Sequence, residues 1–318
     1  MRNSHRELAN SPSPRSGGQL AELSNPLHLN YPIHRPIGVQ FLITPIRYDE
    51  TAMANTTDFK GRWALVTGAS AGIGAELARQ LAGCGAKLIL TARRKDRLDA
   101  LAAELTSKGT DVRVVAADLN DPAAPQQIYE ATEAAGLEVD ILINNAGLGQ
   151  FGAFQTSPID QELAQVRVNC EAMVRLSRLF VPRMVERRRG WVLILASTAS
   201  FQPLPYFATY AASKAFDRFF ALGLAAEVAH YGVKVTALCP GPTESEFFRI
   251  SRARAFERRG VQSTAEVVRQ GINGLARGKR TVLPSAEGRL TSFIVRFLPV
   301  TLITHFMAKI AGRHVPTS

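Results

Sequence analysis

Residues Thr67–Gly74, Thr-Gly-Ala-Ser-Ala-Gly-Ile-Gly, constrain the fold of this chain more than any other stretch. Before them runs Arg62-Trp63-Ala64-Leu65-Val66, an apolar segment of strand length. After them Ile73, Leu77 and Leu81 recur at helical spacing, with the helix formers Ala75, Glu76, Ala78 and Arg79 between them. Strand, glycine-rich turn and helix, in that order, make a cradle for phosphate. Gly68 permits the tight turn, Gly72 lets backbone approach a pyrophosphate, and Gly74 lets the helix pack close on the strand. The unpaired N–H groups at the helix start then face the anion. A glycine-rich turn with no ligand is the plainer alternative, and the flanking strand and helix weigh against it.

Strands and helices alternate from Asp58 onward, which calls for a parallel sheet with right-handed crossovers. Further strands are predicted at Lys87–Ala92, Val112–Ala117, Asp140–Ile143, Trp191–Ala196 and Val233–Leu238, with Thr281–Leu283 as a seventh. Helices are predicted at Asp96–Ser107, near Pro122–Ala135, and from Tyr210 to about Tyr231. A long helix is expected to start with Ser157 as N-cap and Pro158 in the first helical position, to kink at Pro182 and to end near Arg189-Gly190. The predicted fold is therefore α/β, a single Rossmann-type doubly wound parallel sheet of about seven strands flanked by helices, over residues 58–285. Residues 1–57, rich in Pro, Ser and Asn without a sustained period, read as a disordered extension, and Met53 offers a second start just upstream of the folded pattern. Residues 286–318 read as a helical tail.

The three cysteines, Cys84, Cys170 and Cys239, are widely spaced in apolar segments. They point to buried thiols in a reducing compartment and not to a disulfide framework or a metal site. The longest apolar run near the N-terminus, Val39–Ile43, is too short for a secretory signal, so a cytoplasmic protein is expected. The net charge of +11 is concentrated after Phe248, where thirteen Lys and Arg face only Glu257, Glu266 and Glu287. A solvated basic surface, an anionic substrate, a phosphate-rich cofactor or a membrane surface would each use it. No nucleic-acid-binding motif accompanies it.

Three clusters of polar residues fall at or near ends of predicted strands, where ligands bind in open α/β sheets. In Tyr210-Ala211-Ala212-Ser213-Lys214 the phenol and ammonium, four apart, share a helix face. A phenol titrates at about 10, and an adjacent cation lowers that value, so the pair suits proton transfer near neutral pH. Ser197, at the end of the fifth strand, is placed to bond the same substrate oxygen. Asn169, among Val166, Val168 and Met173, needs a specific partner. Each feature has a bland reading: a chance pair, a turn serine, a surface asparagine. Their occurrence in register with the glycine loop is what makes them a candidate site.

That combination resembles the short-chain dehydrogenase/reductase family, over Asp58 to about Phe248. The cofactor loop matches at Thr67, Gly68, Gly72 and Gly74, with Ser70 and Ile73 in the same turn. The family's adenine-side Asp matches Asp118, followed by Leu119, and its Asn-Asn-Ala-Gly matches Asn144–Gly147, so that Asn145, Ala146 and Gly147 become cofactor contacts. The catalytic Asn, Ser, Tyr and Lys fall on Asn169, Ser197, Tyr210 and Lys214. The Pro-Gly segment and its Thr fall on Pro240, Gly241 and Thr243. The resemblance implies that Tyr210 is the acid/base and that Lys214 lowers its pKa and holds the nicotinamide ribose. It further implies that Ser197 orients the carbonyl and that Asn169 holds a water relaying protons to Lys214. Interconversion of a carbonyl and an alcohol follows, with a homodimer or homotetramer paired through helices carrying Leu176, Leu179, Phe180, Phe216, Phe219, Phe220 and Leu224.

Where a NAD enzyme of this layout presents an acid, about 20 residues beyond the glycines, this chain has Ala92 followed by Arg93 and Arg94. A missing acid and added guanidinium groups favour the 2′-phosphate of NADP, with Asp96 read as a helix cap. Phe201, Pro203, Leu204, Pro205, Tyr206, Phe247 and Phe248 are expected around the site mouth, which favours an apolar small-molecule carbonyl substrate. Two other functions compete: a dinucleotide sensor or scaffold without turnover, and a peripheral membrane protein. In the tail, Leu290, Phe293, Ile294, Phe297 and Leu298, then Leu302, Ile303, Phe306 and Ile310, form two apolar stripes hinged at Pro299. Packing of these stripes on the protein's own core or a partner subunit is favoured over weak membrane contact through 286–318.

Overall fold

The structure, a computed structural model, describes residues 56–253, 261–313 and 315. Most of the predicted N-terminal extension, the Met53 start and the charged residues Arg254, Glu257, Arg258 and Arg259 lie outside the described residues. Seven strands form one parallel sheet: β1 (Trp63–Thr67), β2 (Lys87–Thr91), β3 (Val112–Val114), β4 (Val139–Asn144), β5 (Gly190–Leu195), β6 (Val233–Leu238) and β7 (Thr281–Val282). Their order is β3-β2-β1-β4-β5-β6-β7. The chain reverses its direction of build between β1 and β4, and that switch opens a crevice at the carboxyl ends of the strands.

Every residue of β4 is buried, because helices cover both sheet faces. On one face, Ala64, Val66, Leu88 and Leu193 pack against α1 (Gly72–Gly83), α2 (Lys95–Thr106) and α8 (Thr264–Ala276) through Leu77, Leu98 and Ile272. On the other, Leu65, Leu142, Val192 and Val235 meet α3 (Ala124–Glu130), α5 (Ala172–Glu186) and α6 (Ala208–Val228) through Ile128, Phe180 and Ala221. The period-two alternation of the strands thus sorts one apolar run into two cores.

Several local expectations are corrected. Pro158, not Ser157, is the N-cap of α4 (Ile159–Gln165), and the Ser157 hydroxyl turns instead to the Glu162 carboxylate. Asp96 sits exposed in the first turn of α2, whose N-cap is Arg94, and no side chain caps that helix. Pro182 lies within α5, and the same helical stretch also carries a π-helical segment, Val166–Glu171, that the sequence did not signal. Of the residues expected to pair subunits, Leu176 and Phe180 are fully internal, while Phe216 and Phe219 are exposed. On α4, which contacts α6, and at its end, Ile159, Leu163 and Val166 are exposed as well.

A short helix α7 (Phe247–Ile250) follows β6, and the chain closes with α9 (Ala286–Ile294) and α10 (Val300–Gly312), separated at Pro299. Their apolar stripes do not pack on the protein's own core. Leu290, Phe293, Ile294, Phe297, Leu298, Leu302 and Phe306 are exposed, and only Ile303 of the two stripes is buried. The inward positions are taken by Gly288, Ser292, Ile303 and Ala311.

Phe180, with no accessible surface, provides a check on the second core. Phe180→Ala should lower the free energy of unfolding by about 3–5 kcal/mol, read by urea titration, because the cavity adds to the lost transfer energy.

Candidate active site

The crevice begins at the glycine turn after β1. Gly68 and Gly72 have φ of +67° and +53°, which side-chain-bearing residues rarely adopt. A Cβ on Gly74 would stand 2.3 Å from the Gly68 carbonyl oxygen, so the helix approaches the turn as closely as backbone allows. The turn is braced by the segment after β4. Thr67 Oγ1 accepts from the Asn145 and Ala146 N–H groups at 2.9 and 3.0 Å, and Asn145 Nδ2 donates to the Thr67 carbonyl at 2.8 Å. Sequence residues 144–147 thus carry a structural reason of their own.

At the end of β2, Arg94 donates from Nε and Nη2 to Ser70 Oγ at 3.2 and 3.0 Å. Its Nη1 reaches Glu246 Oε2 at 3.1 Å, and Arg97 Nη1 reaches the same oxygen at 2.9 Å. Hydrogen bonds from Arg94 and Arg97 hold the Glu246 carboxyl below its ordinary value. Two guanidinium groups therefore converge on one carboxylate, and the Ser70 hydroxyl holds one of them in place. Arg93 is exposed and lines the crevice beside Arg94, while Arg97 joins Arg94 on the Glu246 carboxylate. Asp118 accepts from the Asn120 N–H at 3.0 Å; both Asp118 and Leu119 line the crevice, and Leu119 also packs in the second core.

Ser197 ends β5 and accepts from the Ala199 N–H at 3.1 Å. Its hydroxyl also bonds the Tyr210 phenol. The Tyr210 ring stacks on Phe207, with centroids 4.3 Å apart, and leans on Phe247 at 5.3 Å. Lys214, almost wholly buried, donates to the Leu195 carbonyl at 2.7 Å and to Asp217 Oδ2 at 3.0 Å.

Asn169 sits on the π-helical segment. Its Oδ1 accepts from the Leu148 N–H at 2.8 Å, and its Nδ2 donates to the Leu148 carbonyl and Ser213 Oγ at 2.9 and 2.8 Å. The widened helical turn brings this amide across to tie the loop after β4 to α6. A Cβ on Gly147 would lie 3.4 Å from both Asn169 Oδ1 and Lys214 Nζ, at ordinary contact distance. Pro240, Gly241 and Thr243 close the crevice after β6, where Thr243 Oγ1 donates to the Gly241 carbonyl at 2.9 Å.

The electrostatics correct the sequence reading. Burial pushes the Tyr210 phenol above its ordinary value; Lys214 and the Ser197 bond pull it back, and Asp217 pushes the same way as burial. Burial opposes the Lys214 charge, but Asp217 and Tyr210 outweigh it and hold the ammonium above its usual range. Asp217, which sequence reasoning missed, is itself buried and pushed up by desolvation against the pull of Lys214. Its Oδ1 has no hydrogen-bond partner among the described residues. The signal was present: Tyr210, Lys214 and Asp217 stand at i, i+4 and i+7 on one helix face.

The glycine turn, Arg94, Ser197, Tyr210 and Lys214 line a cavity of about 580 Å³, which Arg97, Asn169 and Asp217 support without lining it. Its polar end is the glycine turn with Arg94, and its apolar end is formed by Phe201, Leu204, Phe207, Phe247, Phe248 and Met307. Pro203, Pro205 and Tyr206, expected at the mouth, do not line it; the Tyr206 ring packs toward Gly312 of α10 instead. Among the described residues no three His, Cys, Asp or Glu side chains group to hold a metal ion.

A doubly wound sheet with a glycine cradle on one side of its crevice and a Ser–Tyr–Lys cluster on the other defines a class of nucleotide-dependent oxidoreductases. The family model described as "short chain dehydrogenase" matches residues 62–255, and the chain belongs to the short-chain dehydrogenase/reductase family. It is 37% identical over 249 residues to a very-long-chain 3-oxoacyl-CoA reductase of Pyrenophora tritici-repentis, covering 75% of this chain and 72% of that one. A protein of the same name from Podospora anserina is 40% identical over 182 residues, 55% of this chain and 53% of its own, so the match spans about half of that relative. A short-chain dehydrogenase from Sphingobium yanoikuyae in complex with NADPH superposes with a TM-score of 0.68 at 32% identity, over 73% of this chain and 92% of that one.

The family implies a nicotinamide dinucleotide, and the residues fit one. The Gly68–Gly74 turn has no room for a Cβ where backbone would meet a pyrophosphate, and Arg94, braced by Ser70, and Arg97 already gather a carboxylate where a phosphate would sit.

Asp217→Asn provides the check on the buried cluster, which also includes Cys170, pushed up to about 12 by burial and the Asp217 charge. Without the carboxylate the values of Lys214 and Tyr210 both fall, as long as Lys214 stays charged. If Lys214 loses its proton instead, the charged residue is gone at the same pH. Either way the alkaline limb of kcat/KM for carbonyl reduction should move down by roughly 1–3 pH units. A profile that coincides with the parent would show that Asp217 does not act on the pair.

Proposed function

We propose that this protein is an NADP(H)-dependent oxidoreductase that interconverts a carbonyl and an alcohol on a long apolar substrate of the 3-oxoacyl thioester kind. One observation carries the reading. The Tyr210 phenol, bonded by Ser197 and facing the Lys214 ammonium, stands where the nucleotide cradle meets an apolar cavity. The substrate class draws on the printed names of the fungal relatives and on the aromatic lining.

The bound nicotinamide supplies hydride to the carbonyl carbon, or takes it from the alcohol carbon. Everything else is done by the chain. The Ser197 and Tyr210 hydroxyls donate to the carbonyl oxygen and orient it, where they also stabilise negative charge as it develops. Tyr210 gives up its proton to that oxygen; its raised value keeps the phenol protonated and so available as the acid, and the pull of Lys214 eases the transfer. Lys214, held by the Leu195 carbonyl and Asp217, keeps a positive charge beside the tyrosinate that forms. Asn169 fixes Leu148 and Ser213, and so the distance between the cradle and α6. Arg94, Arg97 and Ser70 supply charge-assisted bonds to a 2′-phosphate, beside Ala92, where an acid would repel one. Intact Ser197, Tyr210 and Lys214 at one cavity favour turnover over a sensor or scaffold role.

A reducing, cytoplasmic compartment belongs to this reading, which rests there on the odd cysteine count and the buried Cys239. So does a homodimer built on α4 and α6. Ile159, Leu163, Val166, Phe216 and Phe219 are exposed on these neighbouring helices, an apolar face that a second copy covers. Sedimentation should give a dimer that Phe219→Glu dissociates. A monomer at every concentration would count against the pairing.

The function is tested by following NADPH oxidation with a panel of carbonyl compounds that includes long-chain 3-oxoacyl thioesters. Tyr210→Phe should keep NADPH binding and lose turnover by at least about 100-fold, the usual weight of a general acid. Arg94→Ala should raise the Kd for NADPH by roughly tenfold or more and leave that for NADH nearly unchanged, as loss of charge-assisted bonds requires. Substantial activity in Tyr210→Phe, or a parent protein that prefers NADH, would sink the corresponding half of the reading.

A further inference from the structure

The two closing helices are amphipathic the wrong way round for a protein surrounded by water. In α9 the buried positions are Gly288 and Ser292, while Leu290, Phe293 and Ile294 are 61%, 58% and 44% exposed. The link to α10 adds Phe297 at 73% and Leu298, and α10 itself adds Val300, Leu302 and Phe306. The Phe293 and Phe297 rings touch one another, with centroids 5.2 Å apart, and form an aromatic knob on the outside. A helix that docks on its own domain does the reverse and turns its large apolar side chains inward. The inner side of the pair has another task, since Gly288, Thr291, Ser292 and Met307 line the active-site cavity.

The charges say what covers this face. Arg289 on α9, Arg296 in the link, Lys309 on α10 and Arg313 just after it are exposed, and Glu287 is the one acid between Ala286 and Arg313. Among the described residues Arg296, Lys309 and Arg313 make no ion pair. A second copy of the chain, docking through the same patch, would bring these cations against their own counterparts. The segment before Thr56 offers little complement, with five Arg against four Asp and Glu. An anionic lipid surface satisfies both halves: acyl chains take the apolar side chains, and headgroups take the basic ones. Lys and Arg stems reach from an apolar face to headgroup level, so the two kinds of residue do not conflict. No helix of the described residues is long and apolar enough to cross a membrane, so the pair lies in the interface and does not span it.

We propose that α9 and α10 form a docking surface for anionic lipid bilayers, with Leu290, Phe293, Phe297, Leu302 and Phe306 in the acyl boundary and Arg289, Arg296, Lys309 and Arg313 on the headgroups. The cavity wall and the membrane contact are then two sides of one helix pair, and an apolar substrate reaches the cavity from the bilayer. The docking stands on the exposed side chains and not on the carbonyl chemistry, so the two can fail separately.

The experiment uses the full chain and co-sedimentation with phosphatidylcholine vesicles, with and without phosphatidylserine, at low and high salt. Binding to the phosphatidylserine vesicles, weakened by salt, is expected. Phe293→Ser with Phe297→Ser should abolish it. Arg296→Ala with Lys309→Ala should lower partitioning by roughly 30-fold, since two cations near the surface are lost. Circular dichroism melting and NADPH binding, unchanged in both variants, establish that the fold is intact. Failure of the parent chain to bind phosphatidylserine vesicles at low salt overturns the proposal. So does binding that neither variant weakens, or a parent dimer that the Phe variant splits in sedimentation, which would assign the face to a second copy.

Discussion

The Lys214 ammonium, taken out of water at the floor of the crevice, is the interaction on which the rest of the site depends. A buried cation is costly unless every donor is used, and here the backbone of β5 and the side chain of Asp217 use two of its three. The Leu195 carbonyl is free to accept because β5 ends there, and the strand end thereby fixes where α6 must lie. Tyr210, one turn earlier on α6, is then set beside Ser197 at the same strand end. The Asn169 amide completes the tie from the other side of the switch point, through Leu148 and Ser213. A π-helical turn, which costs helix geometry, is tolerated because it places that amide between two elements that share no other polar contact at this level.

The fold was legible because it is written in short-range patterns. Seven apolar runs of strand length, a glycine turn and a Tyr–Lys pair at helical spacing each report local geometry, and a parallel sheet with right-handed crossovers follows from their alternation. What was misread depends on long-range contact. Arg97 lies on the outer turn of α2 and joins Arg94 only because Glu246, far along the chain, is brought to both. The net direction of the Tyr210 shift is set by burial, which no pair spacing reveals, and so the cation's pull was overweighted. Phe180 and Phe219 are alike as sequence, yet one lies against the sheet and the other against solvent. The tail stripes were read at the correct period, but a stripe does not say which way it faces.

The two ends of the cavity are linked through adjacent residues. Glu246 lies one position before α7, whose first residue, Phe247, leans on the Tyr210 ring. Its carboxylate is held by Arg94 and Arg97, with Arg249 on the other oxygen at 3.3 Å. These guanidinium groups have a limited number of donors, and Arg94 already spends two on Ser70. A phosphate brought to them competes with Glu246 for the donors that remain, and like charge separates the two anions. Exposure of these side chains keeps the exchange cheap, since a partly solvated ion pair contributes only about 0–1 kcal/mol. Glu246 and Phe247 are neighbours in the chain, so the basic cradle and the ring that leans on Tyr210 are anchored at adjacent residues.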